Sequence, residues 1–189
     1  MTDGPLTAFL TCRDLDELAT AYDTIGRLPD RTGRAAEVVA VWAEEDEQAI
    51  ANVLFHPDVL SADLRDGAIL RGLRSGGYLA LAAAVGVGDL PAHEMPDGVR
   101  RDLLDALLDL VASDDGPAGV RAAAEIGPLL RAEELELLDD LAGHPVEAVR
   151  HNLAQAALGI TDPDARRPVR LPYLPNRDDY APSGTRPST

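Results

Sequence analysis

The chain has no lysine; all 17 of its basic residues are arginine. The glycines of GLRSGG (72–77) and VGVG (85–88) are therefore never followed by the Lys-Ser or Lys-Thr of a phosphate-binding loop, and no strand pattern precedes them. Cys12 is the single cysteine, which excludes an intrachain disulfide and any cysteine-based zinc site. Aromatic residues make up only 4% of the chain. Strands draw on aromatic and β-branched residues, so this scarcity disfavours a sheet. The longest apolar run, Leu79 to Val85, is far short of the ~20 residues a membrane-spanning helix needs. The opening MTDGPLTAFLTCRD has neither a basic leader nor a long apolar core, so a secretion signal is not expected and the expected location is cytoplasmic.

What is present is alanine, leucine and acid. Hydrophobic residues are 46% of 189, enough for a core in one domain with an appendage. The formal charge is −16. Residues 163–189 hold five Arg against three Asp, a net of +2, so residues 1–162 carry −18. A body that acidic repels phosphate backbones, which argues against nucleic acid as partner and favours a protein with a basic surface or segment.

Apolar spacing predicts about nine helices and no strands. TCRD places a hydroxyl cap at Thr11, followed by Leu15, Leu18, Ala19, Tyr22 and Ile25 on one face. RAAEVVAVWAEE (34–45) predicts a second helix with Val38, Val41 and Trp42 inward, and the acidic run Glu44 to Glu47 a corner. AIANVLF (49–55) stops at His56-Pro57, and a fourth helix starts at Ser61. GGYLALAAAVGVG predicts a short, fully buried fifth. The sixth has the widest apolar stripe: Val99, Leu103, Ala106, Leu107, Leu110 and Val111, broadened by Leu104 and Leu108, with Asp102, Asp105 and Asp109 on the exposed arc. Helices over 120–130, 133–141 and 146–158 follow. Six prolines in residues 163–189 predict an extended tail. The expected organisation is a lead over 1–10, a helical domain over 11–162 and a Pro/Arg-rich tail over 163–189.

One step recurs at the corners: a proline, then Val-Arg, then an Ala/Leu run closed by glycine. It runs Pro145, Val149, Arg150, Ala154, Ala157, Leu158, Gly159, and again Pro117, Val120, Arg121, Ala124, Ile126, Gly127. Pro96, Val99 and Arg100 give part of a third copy. Proline fits the first helical turn, where no donor is needed, and small residues let helices approach closely. This combination resembles the HEAT-repeat family, especially its bacterial HEAT-like branch (the phycobilin-lyase type of repeat). The resemblance covers 96–160 directly and 32–90 by pattern. The Val-Arg pairs lie 21 and then 29 residues apart, so the repeats have diverged.

The resemblance implies an α-solenoid of stacked antiparallel helix pairs used as a protein-binding scaffold. It also implies that Arg100, Arg121 and Arg150 form a structural ladder between repeats. Function is not implied by fold. One HEAT-like enzyme, deoxyhypusine hydroxylase, holds two irons on several His-Glu dipeptides; here there is one, His93-Glu94. HEAT-like DNA glycosylases need a basic groove and aromatic residues to hold the damaged nucleotide, which a body at −18 with one Trp does not offer.

The remaining chemistry is sparse. His144, Glu147 and His151 share a helix face but fall short of the four ligands a structural zinc site takes. Cys12 beside Arg13 lies in a capping region, and Ser75 and Ser113 have no nucleophile-elbow context. No catalytic residue, metal or cofactor is expected. The expected function is a non-enzymatic scaffold or adaptor with Asp102, Asp105, Asp109, Glu133, Glu134 and Glu136 as contacts for a basic protein segment. An enzyme or enzyme accessory of HEAT-like type, or an acidic DNA mimic, is the alternative. In the tail, Arg167 and Arg170 with Leu171, Tyr173 and Leu174 form a docking motif for a partner or for the chain's own acidic body.

Overall fold

The computed structural model describes residues 4–26 and 46–161. These are all-helical, with no strand among the described residues. The expected second helix, with Val38, Val41 and Trp42, lies outside them, as does the tail with Arg167, Arg170, Leu171, Tyr173 and Leu174. No described helix is long and apolar enough to cross a membrane.

The N-terminus departs from the sequence expectation. Helix α1 (Pro5–Thr11) lies where a lead was expected. Pro5 occupies its first turn, and Leu6, Phe9 and Leu10 are buried at i, i+3 and i+4. Thr11 closes α1 instead of capping the next helix: its hydroxyl donates back to Thr7 O at 2.8 Å. The cap of α2 (Leu15–Gly26) is Asp14, whose Oδ1 accepts from the N–H of Asp16 at 2.9 Å. Asp and Thr both serve as caps, so TCRD offered two, and the buried Phe9 and Leu10 selected the one that lets α1 end first.

Helix α3 (Glu47–Phe55) is capped by Asp46, which accepts from Gln48 N and Ala49 N at 3.1 and 3.2 Å. A 3-10 turn, Pro57–Val59, follows where proline removes a donor. Helix α4 (Ala62–Ser75) and helix α5 (Gly77–Val87) form a hairpin. Gly76 and Gly77 have φ of +74° and +55°, a conformation that side chains disfavour, which makes so tight a reversal possible. Another 3-10 turn, Ala92–Glu94, leads into α6 (Asp97–Ser113), α7 (Pro117–Glu125), a ten-residue 3-10 stretch Ala132–Leu141 and α8 (Glu147–Thr161).

Packing follows the apolar stripes. Helix α5 lies against α3, α4 and α7; α6 lies against α4 and α7; α8 lies against α7 and the 3-10 stretch. Helix α5, expected to be fully buried, buries eight of its 11 residues, with Leu79 and Val85 half-buried and Gly77 exposed. On α6, Leu103, Leu104 and Leu107 have no exposed surface. Each such leucine contributes roughly 1.5–3 kcal/mol.

Candidate functional site

Helix α6 turns its apolar arc inward and leaves Asp102, Asp105 and Asp109 exposed along the opposite side. The 3-10 stretch beside it exposes Glu133, Glu136, Asp139 and Asp140. Between the two elements lies an arginine cluster. Arg101 donates from Nε to Asp105 at 3.0 Å and from Nη1 to Glu134 at 3.0 Å, so one guanidinium fastens α6 to the stretch.

Glu134 does not belong to the exposed set in which the sequence placed it. Its side chain is 8% exposed. Both oxygens are taken: Arg100 clamps it with Nη1 and Nη2 at 2.8 Å each, and the Arg131 N–H donates at 3.0 Å. Those bonds, Arg100's first, outweigh desolvation and hold the carboxyl down to about 2. A carboxylate so saturated has no capacity left for a partner. The error has a clear source, since AEELELL places Glu133, Glu134 and Glu136 equivalently in the sequence and only the tertiary position of Arg100 separates them.

The three Val-Arg arginines do three different things. Arg100 is buried and reaches beyond its own helix, donating to Leu129 O at 2.5 Å as well as to Glu134. Arg121 pairs at 2.9 Å with Glu125 on its own helix. Arg150 turns back on its own corner, donating to the carbonyls of His144 and Pro145 at 2.5 and 2.9 Å. Of the three arginines expected to form a ladder, Arg100 thus bonds to the segment at Leu129 and Glu134, whereas Arg121 and Arg150 bond within their own helix or corner. Beside Arg100, Arg131 pairs with Asp97, whose carboxyl is lowered by that hydrogen bond.

Two buried asparagines carry inter-helix ties that the sequence reading missed. Asn52 donates to the carbonyls of Phe9, Leu10 and Cys12, closing the open end of α1, and its Oδ1 accepts from Gln48 at 2.8 Å. Asn152 donates to Val120 O of the preceding helix at 3.2 Å. Each is the sixth residue of a helix that begins with Glu, Glu47 or Glu147. That shared register was a signal available in the sequence.

Elsewhere the side chains are spent on structure. His144 is buried, with Nε2 against Val111 O at 3.1 Å and Nδ1 accepting from Val146 N at 3.2 Å. With both ring nitrogens engaged it offers no lone pair to a metal. Among the described residues no group of three or more His, Cys, Asp or Glu is arranged to hold one. His93 and Glu94 pair only with each other, exposed, at 3.5 Å. The hydroxyls of Ser75 and Ser113 donate to carbonyls one turn back, at 2.8 and 2.7 Å. The Cys12 thiol donates to Asp14 O at 3.2 Å. A shallow depression of about 400 Å³ opens between Met95, Leu129 and Arg131.

No family model matches the chain, and neither the curated proteins nor the solved structures contain a match.

Proposed function

We propose that the protein is a non-enzymatic scaffold, a HEAT-like stack of helical hairpins whose acidic face binds a basic protein segment. Two packing relations support the stack. Helices α3, α5, α7 and α8 touch in succession, and α4, α6 and the 3-10 stretch run beside them, tied by Arg100. Repeat architectures are built from such neighbour-only contacts.

The observation that carries the functional reading is the exposed row of Asp102, Asp105 and Asp109 on α6, with Glu133 and Glu136 exposed on the 3-10 stretch that Arg101 fastens to that helix. Of these five, Asp105 is offset by Arg101. A row of carboxylates on a helix suits an arginine-bearing segment, because a guanidinium fork can take two oxygens at once. The surrounding negative charge speeds the encounter.

The test is direct titration of the full chain with an arginine-rich peptide, at low and high salt, alongside the variant D102N/D105N/D109N. Binding that weakens with salt and is lost in the variant is the expected result. Retention of full binding by the folded variant removes the reading. Displacement of a captured partner by duplex DNA would instead favour a DNA mimic, and stoichiometric iron or zinc in the purified protein an enzyme.

A further inference from the structure

We propose that the depression at the start of α6 binds a small organic monocarboxylate, an acid head on an apolar body. Three segments form it: the 3-10 turn with Met95, the first turn of α6 and the corner at 128–131. Its volume, about 400 Å³, lies in the range of sites that take small molecules.

The wall has two chemistries. Met95, Pro128 and Leu129 supply its apolar part, and Arg100, Arg131 and Asp97 its charged part. Two arginines against one carboxylate leave that part net positive, in a chain that is otherwise strongly acidic.

The two arginines are differently held. The Arg100 side chain is 8% exposed, and its Nη atoms are spent on Glu134 and the Leu129 carbonyl. Its Nε–H is buried with no acceptor among the described residues. A buried charged donor left unmatched is costly, and a carboxylate in the depression brings an acceptor to that wall. Arg131 is exposed and pairs with Asp97, itself 73% exposed. So open a pair is worth little, and an entering carboxylate exchanges with Asp97 for the guanidinium fork at low cost. No side chain caps the start of α6, which leaves the positive end of its dipole to the same anion.

The surroundings restrict the ligand further. A polyphosphate is repelled by the acidic body, and acetate leaves the apolar wall in water. A monoacid with a short hydrocarbon chain meets both conditions. None of Asp102, Asp105, Asp109, Glu133 and Glu136 lines the depression, so this site stands apart from the scaffold reading.

The experiment titrates the full chain with hexanoate, followed by backbone amide resonances, with acetate and hexanol as controls. Hexanoate should shift Val99, Leu130 and Arg131 saturably, and the controls should not. R131Q should weaken binding about tenfold, the loss of one charge-assisted contact. D97N should tighten it about threefold, by freeing Arg131. The absence of saturable shifts would overturn the proposal, as would equal binding of hexanol or full binding by R131Q. A Leu-terminated peptide that binds more tightly than hexanoate, and loses binding on C-terminal amidation, would replace the small acid with a protein C-terminus.

Discussion

At the scale of single residues, the chain's strongest commitments are buried polar groups with their partners supplied. Glu134 is the clearest. Its folded pKa is held at about 2 against an ordinary 4.5, so its contribution to stability is complete above pH 4.5 and is lost as pH falls towards 2. Glu134→Gln should cost about 3 kcal/mol at neutral pH, by leaving Arg100 buried without its anion. The gap between wild type and variant should close as denaturant melts are repeated at lower pH through that window. A constant gap would show that the carboxylate's charge is not what matters. Asn152 makes the converse case. Its Oδ1 is buried without a partner, whereas the equivalent oxygen of Asn52 receives Gln48 from one turn back. The corresponding position is Ala148. Ala148→Gln should therefore raise stability by about 1 kcal/mol, read as a higher melting temperature. No gain would mean that the new amide does not reach Asn152.

At the scale of elements, close approach decides more than hydrophobicity. Helices α3 and α5 meet so tightly that a Cβ on Gly86 would stand 2.1 Å from the Leu54 carbonyl oxygen. Gly86→Ala, helix-favouring by propensity, should destabilise by about 3 kcal/mol, checked by thermal melting; a neutral outcome would show that the two helices can slide apart. The VGVG run was legible as a helix end, but its role in packing was not, because that requires knowing which helix lies opposite. The N-terminal elements were misjudged for a related reason. Thr11 and Asp14 are both sound caps locally, and the burial of Phe9, an event of tertiary packing, selects between them. A further element-scale tie is the stack of Tyr22 on His56, ring centroids 4.2 Å apart, with the Tyr22 hydroxyl on Asp58. Burial lowers the His56 pKa, so the folded state resists its protonation. Stability should fall as pH drops below 6.5, and His56→Gln should flatten that dependence in denaturant melts.

At the scale of the whole molecule, α5 is enclosed by three helices, whereas among the described elements α2 is held mainly by α1, and α8 by α7 and the 3-10 stretch. Amide exchange should be slowest in α5 and fastest in α2 and α8, as expected if each element is held by its neighbours. Uniform protection along the chain would argue for a single cooperative bundle. The acidic face also belongs to this scale. The exposure of Asp102, Asp105 and Asp109 could be read from the stripe opposite them, since a helix with Leu103, Leu107 and Leu110 inward has only one arc left for water. The burial of Glu134 beneath Arg100 and Arg101 could not.

The sequence by itself determined the helical class, the buried character of α5 and the inward stripe of α6, because these follow from periodicity within a dozen residues and from the shortage of strand-forming side chains. Only the tertiary structure decided which acid is buried and which is exposed, and which of three like-placed arginines ties α6 to the 3-10 stretch. Periodicity reports the face on which a side chain lies. A charge, however, acts across the gap between two helices, and that gap exists only after they have packed.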